Sequence, residues 1–242
     1  TTEQWAGAAI AGPKSRELLS KLFSDKDISN EGLPFMGYME ADLFGIPARI
    51  FRISFSGELA YEINVASDFG TFMWEKTIEQ GQQFNIQPYG TEALSNLRIE
   101  MGHVAGPELD GRTIPYDVSL EGLVSKKKDF VGKRSLNRKA FTSSTRQRVV
   151  GLVPIDKKTV IPEGSHLVKD AKAKLPNPKL GHISSSCWSV EYNNPFALAI
   201  LQDGKNMIGE KLYAFSPLQN KTIPVEIVSS HYVDPKGERV RS

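Results

Sequence analysis

A carboxylate and two aromatic side chains lie close together in the segment RISFSGELAYEI, residues 52–63. Its alternation predicts strands on either side of a turn at Ser56-Gly57-Glu58, and such a hairpin brings Phe55 and Glu62 to one site. The apolar face of the hairpin would consist of residues 53, 55, 59, 61 and 63. A carboxylate pairs well with a flat ring that offers two N–H donors side by side, and an aromatic ring stacks on such a heterocycle. The segment therefore predicts a heterocycle site, and a solvent-facing Glu62 is the competing interpretation.

Arg98 is a second candidate, since it borders the apolar face of a helix predicted over GTEALSNLRIEMG, residues 90–102. Glu100 stands two residues further on. The sequence leaves two interpretations of Arg98 open, a structural salt bridge or a guanidinium that contacts a ligand. The lysines of SKKKDFVGKRS also have two interpretations, because such runs either meet a polyanionic tail or are solvated.

Several kinds of active site are excluded by the absence of their motifs. The chain has no GxGxxG, no GxxxxGK[ST] and no GxSxG, which argues against a dinucleotide site, a P-loop and a hydrolase nucleophile of its own. The single cysteine, Cys187, rules out a disulfide framework and a Cys-based zinc site, and we expect it to be a small buried residue. The four histidines are scattered without HxxxH spacing, so we expect no metal site.

Composition places the chain among folded proteins without a strong general charge. Of its 242 residues 40% are hydrophobic, which is enough for a sizeable core, and 30 Lys and Arg balance 28 Asp and Glu. This balance predicts neither a nucleic-acid partner nor a membrane surface. No apolar run approaches membrane-spanning length, and the start TTEQWAGAAIAGP lacks the basic region of a signal peptide. We expect a cytoplasmic chain that has been processed or cut from something longer, since it does not begin with Met.

The first part of the chain alternates strands and helices. QWAGAAIAGP reads as a buried strand ended by Gly12-Pro13, and PKSRELLSKLF as a helix whose apolar face is Leu18, Leu19, Leu22 and Phe23. Residues 37–65 predict a β meander. DFGTFMWEKTIEQG predicts a helix capped by Asp68, lined by Phe69, Phe72, Met73 and Ile78 and ended by Gly81. The helix over 90–102 follows, with Thr91 as a candidate N-cap and an apolar face of Ala93, Leu94, Leu97 and Met101.

The composition of the chain changes at the polar, basic stretch NRKAFTSSTRQR, which is typical of a linker. Five short strands follow, in RVVGLVPI, LGHISSS, FALAILQ, KLYAF and TIPVEIVSSHYV, and KDAKAKLPNPK reads as a solvated Lys-rich loop. The sequence therefore predicts an α+β chain, with a first domain over 1–140 and an antiparallel β-barrel domain over 146–242.

Four stretches resemble the folate-dependent aminomethyltransferases, the family of the glycine-cleavage T-protein. RISFSGELAYE resembles the signature R-[IV]-[ST]-[YF]-[ST]-G-E-x-x-[YFW]-E, and GTEALSNLRIEMG resembles the helix that follows it. DGRTIPYDVSLEGLVSKKKDFVGKRSL resembles the family's next segment, and LGHISSSCWSVEYNNPFALAIL its barrel repeat. Together the stretches cover essentially the whole chain in the family's order. Within the family, the resemblance is greatest to the C-terminal part of the alpha subunits of heterotetrameric sarcosine oxidases.

The resemblance implies a tetrahydrofolate site in an aminomethyltransferase-type folate-binding domain that lacks its N-terminal portion. It implies that Glu62 holds the donor edge of the pteridine, that Phe55 lies against the ring with Tyr61 as a packing neighbour, and that Arg98 is a further contact. Two departures stand out: Leu94 replaces an Arg of the T-protein, and Phe55 replaces a Tyr. The family's catalytic Asp should lie at or before Thr1, so the catalytic group is unknown, with Glu3 the nearby carboxylate.

The implied reaction is capture of the one-carbon unit from sarcosine oxidation as 5,10-methylenetetrahydrofolate. Tetrahydrofolate would be the cofactor of this chain, with flavin and NAD expected only in other regions or subunits of the parent enzyme. The implied partners are the sarcosine oxidase beta, gamma and delta subunits. Two alternatives remain open, namely a non-catalytic folate-binding or subunit-assembly module of the same fold, and a scaffold that only docks partner subunits.

Overall fold

The chain folds into two compact units. The computed structural model describes residues 3–172, 176 and 178–242. The first unit comprises Thr1–Leu97 together with Lys236–Ser242, and the second comprises Arg98–Pro235. The position at or before Thr1 expected for a catalytic Asp, and part of the predicted Lys-rich loop, lie outside the described residues. The sequence-based domain bounds of 1–140 and 146–242 stay a prediction.

A four-stranded antiparallel sheet organises the first unit. Its strands are β1 (Trp5–Ala11), β2 (Tyr38–Leu43), β3 (Ile46–Phe51) and β4 (Ala60–Ala66), in the order β1-β4-β3-β2. The predicted meander is confirmed. The predicted burial of β1 is wrong, because β1 is an edge strand and only one of its faces packs against the core, so exposed residues alternate with covered ones along it.

Helices cover one face of this sheet. Helix α1 (Ser15–Leu22) buries Leu18, Leu19 and Leu22 as predicted, and α2 (Gly70–Gly81) adds Met73 to the same core. The predicted cap at Asp68 is wrong. A 3₁₀ turn runs through that residue into α2, which places Asp68 inside helical backbone, and neither helix end has a side-chain cap.

The third helix, α3 (Thr91–Glu100), includes the division between the units. Its predicted apolar face is only partly correct. Leu94 and Leu97 are half-buried and Met101 is buried, whereas Ala93 is exposed. The most buried residues of the helix lie in its last turn and include two charged side chains, Arg98 and Glu100. After α3 come 3₁₀ turns and two one-turn helices, α4 (Lys133–Leu136) and α5 (Lys139–Thr142).

The predicted antiparallel barrel is confirmed and forms most of the second unit. Its six strands are β5 (Arg148–Pro154), β6 (His166–Val168), β7 (Gly181–Ser189), β8 (Asn194–Leu201), β9 (Lys211–Ser216) and β10 (Lys221–Val228). They close in the order β10-β5-β8-β7-β6-β9. The sequence missed β6, because a three-residue strand is too short to show alternation. A last one-turn helix, α6 (Glu238–Arg241), belongs to the first unit.

Cys187 lies on β7 and is buried, as expected. Burial raises the pKa of its thiol to about 12, with the nearby Glu100 carboxylate acting in the same direction. The thiol therefore keeps its proton at neutral pH. Within the described part of the chain, no helix combines the length and apolar character that crossing a bilayer requires.

Candidate functional site

Glu62 and Tyr61 are neighbours on β4 that face opposite sides of the sheet. Successive strand residues alternate in direction, and along β4 the side chains of Tyr61, Ile63 and Val65 are fully buried in the core. Glu62 points the other way and is half-buried. Strand register places Ala9 of β1 and Phe51 of β3 directly opposite it.

Tyr61 therefore supports the sheet from the core side. Its hydroxyl oxygen accepts a hydrogen bond from Arg16 Nε at 3.1 Å, and none of its surface is exposed. The structure does not bring Tyr61 to the surface that carries Glu62. It does show that β4 is held firmly on one side, which fixes the direction of the Glu62 side chain on the other.

We call the side of the sheet that carries Glu62 the outer face. It consists of alternate residues of the four strands, namely Trp5, Gly7 and Ala9, Tyr38 and Glu40, Arg49 and Phe51, and Glu62 and Asn64. The opposite side of the sheet packs into the helix-covered core, and apart from Gly7 and Ala9 the outer face presents polar and aromatic side chains.

Aromatic rings and charges are arranged in pairs on the outer face. The rings of Tyr38 and Phe51 have centroids 5.0 Å apart. The guanidinium of Arg49 lies over the indole of Trp5 at 4.2 Å, a cation–π geometry. Trp5 and Tyr38 are 45% and 50% exposed. The ring directly opposite Glu62 is that of Phe51, and a carboxylate beside an aromatic ring is able to hold a flat ligand through edge hydrogen bonds and stacking.

Phe55 lies in the loop between β3 and β4, not on a strand. The predicted alternation from residue 52 onward is wrong in this part, because β3 ends at Phe51 and β4 begins at Ala60. Gly57 has a φ of 85° and its backbone N–H donates to Ser54 Oγ at 3.0 Å, which is turn rather than strand geometry. Phe55 is 46% exposed at the surface of this loop.

A buried arginine anchors the same loop. Arg52 is 1% exposed, and its guanidinium donates to the backbone oxygens of Leu33 and Ser242 at 3.1 and 2.8 Å. It also donates to Asn30 Oδ1 at 2.5 Å. These contacts fix the start of the loop that carries Phe55.

Arg98 takes part in a buried polar network of the second unit. Its guanidinium donates to Glu108 Oε2 at 2.9 Å and to Ser185 Oγ at 2.8 Å. Ser185 Oγ in turn donates to Glu108 Oε1 at 2.6 Å, and the backbone N–H of Ala105 donates to Glu108 Oε2 at 2.9 Å. The Arg98 and Glu108 side chains are 7% and 0% exposed. These contacts agree with the first of the two interpretations of Arg98, a structural salt bridge. A folate contact by Arg98 stays a prediction.

Sequence reasoning missed Glu108 as the partner of Arg98. It considered only Glu100, which is two residues away and therefore on a different side of the helix. Only a weak sequence signal pointed to Glu108. The tripeptide Gly106-Pro107-Glu108 follows the end of α3, and proline is common at the start of a helical turn. Glu3, the nearby carboxylate at the start of the chain, is exposed.

An apolar cleft of about 1030 Å³ opens beside β1 in the first unit. It is lined by β1, the start of α1, helix α2 and residues 84–91, and Leu94 contributes to its wall. Glu62, Phe55 and Tyr61 are not among the lining residues. Gly7 and Ala9 of the outer face do line the cleft, and Ala9 is directly opposite Glu62, so the cleft adjoins the predicted heterocycle site without including its three residues.

Two family models match the sequence. The model of the GCVT N-terminal domain matches residues 1–128, and that of the glycine cleavage T-protein C-terminal barrel domain matches residues 147–234. The sarcosine oxidase subunit alpha of Rhizobium meliloti (strain 1021) is 42% identical over 243 residues, covering 99% of this chain and 24% of that protein. The chain thus spans about a quarter of the length of this relative.

More distant relatives share the same regions. The aminomethyltransferase of Chloroherpeton thalassium is 30% identical over 208 residues, covering 85% of this chain and 54% of that protein. The crystal structure of glycine cleavage system aminomethyltransferase T from Bartonella henselae matches with a TM-score of 0.75 at 22% identity. It covers 95% of this chain and 60% of that one, and the likeness is one of fold.

Proposed function

This chain belongs to the glycine cleavage T-protein family, and from that premise we propose that it is a tetrahydrofolate-binding region of a sarcosine oxidase alpha subunit. The 42% identity to such a subunit over nearly the whole chain supports the assignment. The observation that supports the binding site is that Glu62 is half-buried on the outer face, with the aromatic Phe51 directly opposite it on the neighbouring strand.

The outer face fits the pteridine ring of a folate. This ring is flat and offers adjacent N–H donors on one edge, which match the two oxygens of a carboxylate. We propose that Glu62 orients this edge and that Phe55 lies against the ring plane. Tyr61 acts indirectly, since its buried side chain and its bond to Arg16 hold β4 in place. Arg98 is the less direct candidate, because Glu108 and Ser185 already occupy its donors.

The role we propose for this chain in catalysis is positioning. Tetrahydrofolate, when bound, supplies the amine nitrogens that take up a one-carbon unit as 5,10-methylenetetrahydrofolate. The carboxylate of Glu62 restricts the rotation of the ring, and a fixed orientation lowers the entropic cost of reaction with a carbon delivered from elsewhere. Capture of that carbon would also need a group that takes a proton from the folate amines and gives one to the departing amine, for which Glu3 is our candidate within the chain.

The remaining proposals concern the whole enzyme. We propose that sarcosine is oxidised at a flavin outside this chain, and that NAD also binds in another region or subunit. The beta, gamma and delta subunits of such an enzyme would be its partners, in the cytoplasm. These assignments rest on the resemblance described in the sequence analysis, and the names of the relatives support only a sarcosine oxidase subunit alpha, of which this chain covers about a quarter.

Isothermal calorimetry with folinic acid tests the binding site. We expect the chain to bind and Glu62→Gln to weaken binding by about 1–3 kcal/mol, since the ring edge then loses its charged acceptor. Glu40→Gln is the matched control: Glu40 is a carboxylate on the same outer face, hydrogen-bonded to Tyr38 at 2.7 Å. It should leave the affinity unchanged.

Two results would count against the proposal. One is equal weakening by both substitutions, which would indicate a general effect of charge. The other is a lack of binding both by this chain and by a full-length sarcosine oxidase alpha subunit that contains it, which would favour an assembly module. Binding by the full-length subunit but not by this chain would still support the site, and would show that it needs residues outside the chain.

A further inference from the structure

A second cleft, of about 980 Å³, lies within the second unit and differs in character from the apolar one. Its walls are formed by residues 107–114 and 140–147 together with parts of β6, β7 and β8. Five basic side chains line it, namely Arg112, Arg146, His166, Lys179 and His182. Hydroxyl and amide donors add to them, from Thr113, Ser143, Thr145, Gln147 and Gln202.

The carboxylates at this cleft are already engaged. Glu108 belongs to the buried network described above. Asp110 accepts from Arg112 Nε at 2.9 Å and also from its Nη2, which leaves the remaining N–H groups of that guanidinium available. Asp117 is 1% exposed and holds Arg146 by two bonds, from Nε at 2.6 Å and from Nη2 at 2.8 Å. Arg146 is therefore a fixed part of the cleft wall, and the carboxylate of Asp117 balances its charge.

Two histidines are cross-strand neighbours on the cleft wall. His166 of β6 is directly opposite His182 of β7 in the antiparallel register, so their side chains lie on the same side of the sheet. The Nδ1 atom of His166 is buried and has no hydrogen-bond partner among the described residues. Buried polar atoms are normally paired, so this nitrogen has a position for a partner that the described residues do not supply.

The surroundings of His182 are positive. Burial lowers its pKa first, and then Lys179, Arg112 and His166 lower it further, while Asp110 is the one opposing charge. Its direct neighbour on β8, Ile200, is apolar. A dication would be repelled by Lys179 and Arg112, and the described residues contain no cluster of three metal-ligating side chains. The cleft is thus suited to negative charge.

We propose that this cleft binds a small multivalent anion, a phosphate or polycarboxylate, between Lys179, Arg112 and the His166–His182 pair. Lys179 and Arg112 supply charge, and the histidines supply ring N–H donors that become stronger when protonated. The hydroxyl and amide groups of the wall complete the donor set. This site is independent of the folate site proposed above, since all of its residues belong to the second unit.

Calorimetry with inorganic pyrophosphate and with tricarballylate tests the proposal and separates the two sources of negative charge. We expect one of them to bind, and Lys179→Gln to weaken its binding by about tenfold through loss of a charge-assisted contact. Lys211→Gln is the control, because it removes the same charge from an exposed position on β9 of the same barrel, outside the cleft. It should leave the affinity unchanged.

Proton linkage gives a readout that a purely structural role would not produce. The pKa of His182 lies below its ordinary value of 6.5 in the free protein, and a bound anion favours the protonated ring. Affinity should therefore increase as the pH falls from neutral to below about 6.5, and the NMR-measured pKa of His182 should rise on saturation. His182→Gln should remove most of this pH dependence. The proposal is overturned if neither anion binds at millimolar concentration. It is also overturned if Lys211→Gln weakens binding as much as Lys179→Gln.

Discussion

Arg98 and Glu108 form an ion pair from which the surrounding side chains exclude water. Every oxygen of the carboxylate is in use, since Glu108 accepts from Arg98, Ala105 and Ser185. Replacement of Glu108 by Gln would leave a buried guanidinium without a counter-charge. We expect the free energy of unfolding, measured by urea denaturation, to fall by about 3 kcal/mol. Removal of one partner of a buried ion pair costs more than the intact pair contributes, because the other charge stays buried without a partner.

The exposed pair between Asp110 and Arg112 provides the comparison. The Arg112 side chain is 83% exposed, so water already solvates its guanidinium. Asp110→Asn should therefore reduce stability much less than Glu108→Gln. Equal losses for the two variants would mean that burial does not determine the contribution of this network.

The residue types at the candidate site were predictable from the sequence, but their surroundings were not. Glu62 was singled out because a carboxylate interrupts a strand pattern, and β4 places it on the face opposite the core, while its role at a ligand site stays a prediction. The position of Phe55 depended on an unbroken strand, which the structure replaces with a loop fixed by the buried Arg52. Local alternation carries no information about such a long-range anchor.

The turn that ends α3 depends on one glycine. Gly102 has a φ of +73°, with its N–H bonded to Ile99 O at 3.0 Å and the following His103 N–H bonded to Arg98 O at 2.9 Å. This pair of bonds is the Schellman arrangement. A Cβ at Gly102 would lie 2.4 Å from the backbone oxygen of Ser230, so the turn also depends on close backbone approach.

Gly102→Ala should therefore destabilise the chain by more than about 2 kcal/mol, the sum of left-handed strain and the displacement of a backbone oxygen. The measurement is the urea midpoint at constant m-value. Gly111→Ala is the control, because nothing lies within 4 Å of its added Cβ and its φ is not in the left-handed region. A Gly102→Ala variant as stable as this control would rule out the strain.

Elements with a strong local pattern were the ones that the sequence predicted. Helix α1 and five barrel strands are long enough for their periodicity to be visible. Strand β6 has three residues and was missed, and Asp68 was assigned as a cap although a 3₁₀ turn extends the helical backbone through it. Both errors come from features of three residues, which are too short to show the pattern on which the prediction depends.

On the scale of the whole molecule, the last residues of the chain return to the first unit. The carbonyl oxygen of Ser242 accepts from Arg16 at 2.7 Å and from Arg52 at 2.8 Å. Arg239 donates to Glu58 Oε1 at 3.2 Å. Sequence patterns do not reveal these contacts, because their partners are more than 180 positions apart along the chain.

These contacts link the C-terminal segment to the loop that carries Phe55, because Arg52 and Glu58 lie near its two ends. We therefore expect that replacing residues 236–242 by a Gly-Ser sequence of the same length will speed amide hydrogen exchange in residues 52–59. The buried guanidinium of Arg52 would lose an acceptor, and local opening of the loop would cost less free energy. Peptides from β8, in the second unit, provide the internal reference and should exchange as before. Unchanged exchange in 52–59 would show that the loop is fixed by Asn30 and Leu33 alone, whereas equal acceleration in β8 would indicate general destabilisation. If only the loop responds, the C-terminal segment is part of what positions Phe55 for the ligand that we propose.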